Sequence, residues 1–176
     1  MRRTQKILSV ILALLMVLSI VPITASAASS GFCGANLTWS YNSSTYTLTI
    51  SGTGDMKKYS FTNRPWESQE DKITTVVVSD GVTSIGDCAF YSFGKVTSIT
   101  IPDSVTNIGK WAFGYCKELT TVTLPKDITV IRDGAFNNCS SLKGNLVIPY
   151  GVTEIGQRAF FSCSGLVGGL KIPNSV

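Results

Sequence analysis

Residues 105–125 read VTNIGKWAFGYCKELTTVTLP, and variants of this segment fill the chain from residue 81 to residue 173. Its most constant feature is an Ala-Phe pair, which recurs at steps of 23, 23 and 24 residues. A β-branched residue and then an isoleucine precede each pair, and an apolar-x-apolar-Pro segment follows it. The pairs are Ala89-Phe90, Ala112-Phe113, Ala135-Phe136 and Ala159-Phe160. A fixed period of this length predicts a solenoid, in which each unit buries its apolar side against its neighbours.

Each unit is expected to contain two short parallel strands and one helical turn, which gives a β-rich solenoid with coils of 23–24 residues. The first strand ends in an in-out-in pattern, so Ile99 and Ile101 point inward and Thr100 points outward. Proline ends this strand because it has no N–H for the ladder. The Ala-Phe segment is too short for a free-standing helix and is interpreted as a helical turn that inserts its Phe into the coil. Glycine follows the second strand in three units and predicts a positive φ at Gly86, Gly109 and Gly156.

Residues 28–72 have a different pattern and are predicted to form a small N-terminal β cap. Apolar and polar residues alternate over 37–41 and again over 46–50, with turn-forming residues between them, which indicates a hairpin. The hairpin and Trp66 are expected to cover the apolar end of the first coil, which begins near Ile73. In the alternative reading, Trp39 and Trp66 form an aromatic platform for a sugar. The solenoid then covers residues 73–176, with about four repeats and a truncated fifth.

The first 27 residues carry the three parts of a secretory signal peptide. Arg2, Arg3 and Lys6 precede an almost wholly apolar run from residue 7 to residue 23, and small residues at 25–27 predict cleavage near Ala27. The alternative is an uncleaved membrane anchor. With cleavage, the protein is expected to be secreted or held at the cell surface, without a transmembrane segment.

Removal of this peptide changes the charge of the chain. It leaves 12 of the 15 basic residues against 11 acidic residues, so the mature protein is nearly neutral. A nucleic-acid partner is therefore not expected.

Residue types also limit the chemistry. The chain has no histidine, which removes the commonest general base and metal ligand at neutral pH. Acidic residues are scattered through the repeats and are interpreted as solvated turn residues. Three of the five cysteines (Cys116, Cys139 and Cys163) follow a repeat Phe by three residues, which predicts a small buried apolar position. The alternative is a disulfide ladder. We expect no catalytic residues, no metal site and no cofactor.

Outward strand positions form the candidate ligand-binding surface. Two columns run across the stack: Thr75, Ser98, Thr121, Asn145 and Gly169 in one, and Val77, Thr100, Thr123, Val147 and Lys171 in the other. These mostly small, hydroxylated side chains reflect either β-propensity on a solvated face or a flat surface for protein or glycan contact. Five strands about 4.8 Å apart present a face of only ~240 Å². A standard interface needs about 800 Å² per partner, so firm binding requires the loops, the cap, more repeats or several copies.

The last two units each contain one additional residue. Three residues separate the leucines that frame the first strand, with glycine at 144 in one unit and at 168–169 in the other. We expect a bulge or a loosened turn that changes the curvature locally.

The repeat Leu-x-x-Ile-x-Ile-Pro-x-x-Val-x-x-Ile-x-x-x-Ala-Phe-x-x-Cys resembles the BspA-like leucine-rich repeat of bacterial surface proteins. Residues 33–39, residues 48–54 and Pro65-Trp66 resemble the region that precedes such repeats in secreted proteins of gut Firmicutes. The resemblance implies a curved extracellular leucine-rich repeat solenoid, attached to or shed from the cell surface. Some relatives take part in adhesion, and the family offers no shared catalytic residues to transfer to this chain.

These observations favour a non-enzymatic protein that mediates adhesion or binds an extracellular protein or glycan. A first alternative is a structural spacer that presents a downstream module, since the chain is interpreted as the front part of a longer protein. A second alternative is an accessory part of an extracellular carbohydrate-active enzyme. A carboxylate pair beside Trp39 or Trp66 would favour that second alternative.

Overall fold

Short strands provide almost all of the regular structure. The computed structural model describes residues 29–168 and 170–176, so the predicted signal peptide and Gly169 lie outside the described residues. Three strands come first: β1 Ser29–Phe32, β2 Gly34–Asn42 and β3 Thr47–Met56. Eight short strands follow: β4 Thr75–Val78, β5 Val82–Ile85, β6 Ser98–Thr100, β7 Asn107–Ile108, β8 Val130–Ile131, β9 Leu146–Val147, β10 Glu154–Ile155 and β11 Leu170–Lys171. Glu67–Gln69, a 3-10 turn, is the only helix in the described part of the chain.

The short strands stack in parallel and build the predicted β-solenoid. We number its coils 1 (73–95), 2 (96–118), 3 (119–141), 4 (142–165) and 5 (166–176). Second strands of coils 1 to 4 form one continuous ladder, β5-β7-β8-β10, in which their isoleucines share a register. First strands pair in two separate groups, β4 with β6 and β9 with β11. The period of the sequence therefore corresponds to one turn of the solenoid.

The predicted hairpin is present and is continuous with the solenoid. Strands β2 and β3 pair antiparallel, and β1 adds a third strand at the outer edge. Strand β3 also pairs in parallel with both β4 and β5. Its two halves therefore take the places of the first and second strands of a coil before coil 1. The hydrogen-bonded sheets continue through the predicted boundary at residue 73.

A column of aromatic rings, which we call the Phe column, runs through the interior. Phe90, Phe113, Phe136 and Phe160 stack with ring centroids 5.3, 5.2 and 5.4 Å apart. Trp66 extends the column, with its ring 5.7 Å from that of Phe90 and its indole N–H donated to the carbonyl of Ala89 at 2.9 Å. Trp66 thus occupies the position that Phe takes in the coils. Its ring is completely buried and covers the face of Phe90 at the start of the stack.

The Ala-Phe segments are tight hydrogen-bonded turns without a regular helix. Alternate N–H groups point to the next coil: those of Cys88, Phe90 and Ser92 donate to carbonyls of coil 2 at 2.8 Å. Two residues in each turn have a left-handed backbone, the one before Ala and the one two places after Phe. In coil 1 these are Cys88, with φ 54°, and Ser92, with φ 63°. The alternation directs every second amide along the solenoid axis.

The expected positive φ at Gly86, Gly109 and Gly156 is wrong. Their φ angles are not in the left-handed region. Glycine is needed there because the preceding coil passes too close for a side chain. A Cβ on Gly86 would lie 1.8 Å from the carbonyl oxygen of Lys57, and one on Gly156 would lie 2.4 Å from the amide nitrogen of Asp133.

Side chains add hydrogen bonds between coils. Thr106, Thr129 and Thr153 each donate a hydroxyl to the backbone carbonyl of the equivalent threonine one coil earlier, at 3.2–3.4 Å. The thiols of Cys116, Cys139 and Cys163 donate in the same direction to carbonyls of the Phe column. All five cysteines are free, and burial raises the pKa of the Cys116 thiol to about 12. The prediction of a small buried position is confirmed for Cys116 and Cys139, whereas Cys163 in coil 4 is half-buried.

Three of the turn aspartates also bond to the next coil. Each accepts a hydrogen bond from a backbone N–H at 2.8–3.1 Å: Asp87 from Lys110, Asp103 from Lys126 and Asp133 from Gln157. Two hydrogen bonds hold the pKa of Asp133 below its ordinary value of 3.8. The stronger effect comes from the Lys110 side chain and the next from the backbone N–H of Gln157. These carboxylates are therefore more than solvated turn residues.

Removing one ring from the Phe column should destabilise the whole stack. We expect Phe113→Ala to lower the free energy of unfolding by about 3–5 kcal/mol, because a fully buried ring is lost and a cavity remains. Urea denaturation measures the effect. Phe161→Ala is the matched control, since that ring is 59% exposed and its loss should cost no more than about 0.5 kcal/mol. Equal effects of the two changes would contradict the assignment.

Acid should weaken the aspartate links. A carboxylate with a lowered pKa in the folded state adds stability above pH 3.8, and that stability is lost as the pH falls through the folded pKa. We expect Asp133→Asn to lower the urea midpoint at pH 7 and to differ less from the unmodified protein at pH 3, which is below the ordinary carboxyl pKa of 3.8. Asp127→Asn, in an exposed turn of the same coil, is the control. A constant difference between Asp133→Asn and the unmodified protein at both pH values would refute the link.

Candidate ligand-binding face and cleft

The predicted columns lie side by side on the face formed by the first strands. Thr75 pairs with Ser98, Val77 with Thr100, and a single bridge continues from Ser98 to Thr121. Thr75 and Val77 are half-buried, because the hairpin strand β3 lies beside them. The remaining described members are exposed: Ser98, Thr100, Thr121, Thr123, Asn145, Val147 and Lys171. Gly169 lies outside the described residues.

This face is interrupted between coils 3 and 4. In the described residues, no strand pairing joins 121–124 to 145–148. The backbone bonds from Ser141 to Lys117 and from Lys143 to Thr120 are still formed just before the gap. On the opposite side of the same coils, β8 and β10 remain paired. The two coils therefore separate on the first-strand face only.

The additional residue explains the position of the interruption. Coil 4 has three residues between Leu142 and Leu146, whereas coil 3 has two between Leu119 and Val122. Gly144 absorbs the difference with φ 82° and has no atom within 4 Å of the site of a Cβ. Coil 5 carries the same additional residue, so its strand pairs with β9 in register, Leu170 opposite Leu146. The mismatch falls only where a shorter coil meets a longer one.

The separated strands form an open cleft of about 470 Å³. It contains three of the predicted site residues, Thr123, Asn145 and Val147. Six further residues line it: Val122, Leu124, Lys126, Leu146, Pro149 and Tyr150. Leu124 and Leu146 are buried, whereas Val147 and Tyr150 are 63% and 80% exposed. The cleft thus has an apolar floor and a rim with few charges.

Two polar side chains of the cleft, those of Lys126 and Asn145, lie close to neighbouring coils. The Lys126 ammonium lies 3.5 Å from a carboxylate oxygen of Asp103, and both groups are largely exposed. The backbone N–H of Lys126, and then its ammonium, hold the pKa of Asp103 below its ordinary value. Asn145 lies against coil 5, where its side-chain oxygen would be 1.6 Å from a Cβ on Gly168. The glycine in coil 5 therefore makes room for Asn145.

The sugar platform predicted as an alternative at Trp39 and Trp66 is wrong. Both residues are buried, and their rings pack edge to face with centroids 5.9 Å apart. They belong to the cap and are not available to a ligand. In the described residues, no cluster of three or more His, Cys, Asp or Glu side chains is placed to hold a metal ion.

Sequence reasoning did not include Lys126, Pro149 and Tyr150 in the site. They come from the turns that follow the first strands and reach the cleft only because the strands separate. The unequal spacing of the leucines was the available signal, since it marks where the parallel register must fail.

Residues 29–168 and 170–176 include no helix with the length and hydropathy of a membrane span.

Solved structures support the fold. A leucine-rich repeat protein from Eubacterium ventriosum is 27% identical, with a TM-score of 0.66 over 85% of this chain and 45% of that protein. A Treponema pallidum leucine-rich repeat protein, 22% identical, gives a TM-score of 0.61 over 85% of this chain and 70% of that one. A Bacteroides ovatus leucine-rich repeat protein, 25% identical, gives 0.50 over 82% and 42%. This chain therefore spans less than half of two of these relatives.

No curated protein matches the chain. The family model that matches is the BspA type leucine-rich repeat region, with 6 copies over residues 56–176. The match begins at residue 56, the last residue of β3. This agrees with the parallel pairing of β3 with β5, which places β3 in a coil before coil 1. The chain belongs to the BspA-type leucine-rich repeat family.

Proposed function

We propose that this chain is an exported, non-catalytic surface protein that acts in adhesion and holds its ligand in the cleft between coils 3 and 4. The observation that carries the proposal is the coincidence of two features. Three residues of the predicted outward columns line the cleft, and the cleft lies where the repeat is broken. Membership of a bacterial surface repeat family supports the same assignment.

The cleft is suited to an extended segment of an extracellular protein. Residues 121–124 and strand β9 face each other there without strand pairing, so each has backbone N–H and C=O groups without ladder partners. An extended peptide pairs with such groups through its main chain, while pockets for alternate side chains provide specificity. The buried Leu124 and Leu146 offer an apolar contact, and Thr123 and Asn145 offer hydrogen bonds.

The size of the cleft sets an upper limit on affinity. A single extended segment buries less surface than the ~800 Å² per partner of a standard interface. We therefore expect weak individual contacts, which become strong when several copies act together on one cell.

A charge introduced in the cleft tests this site. We expect Val147→Asp to reduce retention of fibronectin, collagen or laminin by about tenfold or more, because the carboxylate would have to be desolvated against an apolar ligand. Surface-bound mature protein and graded ligand concentrations measure the effect.

Val167→Asp is the matched control. Val167 is 88% exposed and does not line the cleft, so this variant should bind like the unmodified protein. Absence of saturable binding to all three matrix proteins would refute adhesion by this chain. Equal binding by Val147→Asp and the unmodified protein would refute the cleft.

Deletion of Gly144 tests whether the additional residue of coil 4 produces the cleft. Restoring the 23-residue period should let coils 3 and 4 pair on the first-strand face and close the cleft. We expect slower amide hydrogen exchange over residues 145–148, together with weaker ligand retention. Slower exchange with unchanged retention would show that the ligand binds elsewhere.

A further inference from the structure

A group of aromatic side chains lies on the outside of the Ala-Phe turns, away from the cleft. It consists of Phe61 from the cap loop, Tyr91 from coil 1, and Trp111 and Tyr115 from coil 2. Tyr91 is central, with its ring centroid 4.5 Å from that of Phe61, 6.3 Å from that of Trp111 and 5.5 Å from that of Tyr115. We call these four residues the turn-face cluster. They form one continuous aromatic surface across two coils.

The repeat does not require aromatic residues at these positions. The other coils have Cys88, Gly134 or Arg158 where coil 2 has Trp111, and Ser92, Asn138 or Ser162 where it has Tyr115. Both positions have a left-handed backbone, with φ 56° at Trp111 and 62° at Tyr115. A bulky aromatic residue is disfavoured there relative to glycine or asparagine. Coil 2 therefore has two large rings where smaller residues would suit the backbone better, which points to a role other than stacking.

Glycines support the rings from beneath. A Cβ on Gly134 would lie 2.7 Å from the Trp111 ring, and one on Gly114 would lie 2.9 Å from the same ring and 3.2 Å from the Tyr91 ring. The indole therefore rests directly on the backbone of the next coil. The ring planes of Trp111 and Tyr115 are within 23° of parallel, with centroids 6.4 Å apart. Packing of this kind fixes the rings before any ligand arrives and reduces the entropy lost on binding.

The surface is still accessible. Phe61 is 49% exposed, and Tyr91, Trp111 and Tyr115 are each partly exposed. Trp111 is the only one of the three tryptophans that is not buried. Four rings that each leave part of their area open present on the order of 300 Å², well below the surface that a folded protein partner would cover.

An ion pair lies beside the cluster. Lys110, next to Trp111 in the chain, is paired with Asp133 at 3.0 Å. The cluster itself contributes flat apolar faces and two phenolic hydroxyls. A pyranose ring has matching chemistry, since the C–H groups on one of its faces are apolar and its edge carries hydroxyls. The four side chains of the cluster carry no charge, so they offer no cation to an acidic polymer.

We propose that the turn-face cluster is a binding site for a neutral polysaccharide, whose pyranose rings stack on Trp111 and Tyr115 with Tyr91 beside them. This site is separate from the cleft and does not depend on the function proposed for it. Sugar stacking, which the buried Trp39 and Trp66 cannot provide, is assigned here to the third tryptophan.

Two substitutions taken from the next coil test the site. Trp111→Gly introduces the residue found at Gly134, and Tyr115→Asn introduces the one found at Asn138. Both remove a partly buried ring, which lowers stability, and both relieve a left-handed backbone, which offsets part of that loss, so the thermal midpoint should change little. We expect each to weaken binding by about tenfold, the loss typical of one stacked ring with its buried area. Phe32→Ala, which removes an exposed ring from β1, is the control and should bind normally.

Binding is measured by affinity electrophoresis in gels that contain mixed-linkage β-glucan, xyloglucan or galactomannan. Protection of tryptophan fluorescence from acrylamide reports on Trp111 directly, because the other two tryptophans are buried. Retardation by at least one of these polysaccharides that both variants lose supports the proposal. It is overturned if none retards the protein, if the variants bind like the unmodified chain, or if only polygalacturonate or a matrix protein binds in a Trp111-dependent way.

Discussion

Each coil completes its hydrogen bonds and buries its apolar side chains only through the coils beside it, and the rest of the structure depends on this constraint. Backbone amides, threonine hydroxyls, cysteine thiols and aspartate carboxylates all bond along the solenoid axis. Their partners lie about one repeat away in sequence, so any change in repeat length must be absorbed locally. The same constraint holds in the interior, where each ring of the Phe column is covered by the ring of the next coil.

The cap meets this constraint with a different sequence. Strand β3 pairs with both strands of coil 1, as the two strands of a preceding coil would. Trp66 stacks on Phe90 in the position that a phenylalanine has in the coils. Arg64 pairs with Glu70 and lies over the ring of Phe93, so the irregular loop around Trp66 is tied to coil 1. The first coil consequently meets a surface like that of another coil, although residues 28–72 contain no copy of the Ala-Phe repeat.

Departures from the repeat occur where the constraint is relaxed. One additional residue at Gly144 separates the first strands of coils 3 and 4 while the second strands stay paired, which produces a cleft on one face only. On the turns, side chains outside the stack vary freely, and coil 2 has Trp111 and Tyr115 at positions that suit small residues. The regular part of each coil provides the scaffold, and the irregular part provides the candidate binding surfaces.

The sequence by itself determined the solenoid, its period, the inward Phe and Cys positions and the outward columns, because each depends on contacts between equivalent residues one period apart. The sequence pattern did not show that Gly86 avoids a neighbouring backbone, that Trp39 is buried, or that Trp111 joins an exposed cluster with Phe61. Those features depend on how the cap loop and adjacent coils approach each other in space. Only the tertiary structure decided them, since a periodic sequence specifies what recurs in every coil and says nothing about contacts made by one coil alone.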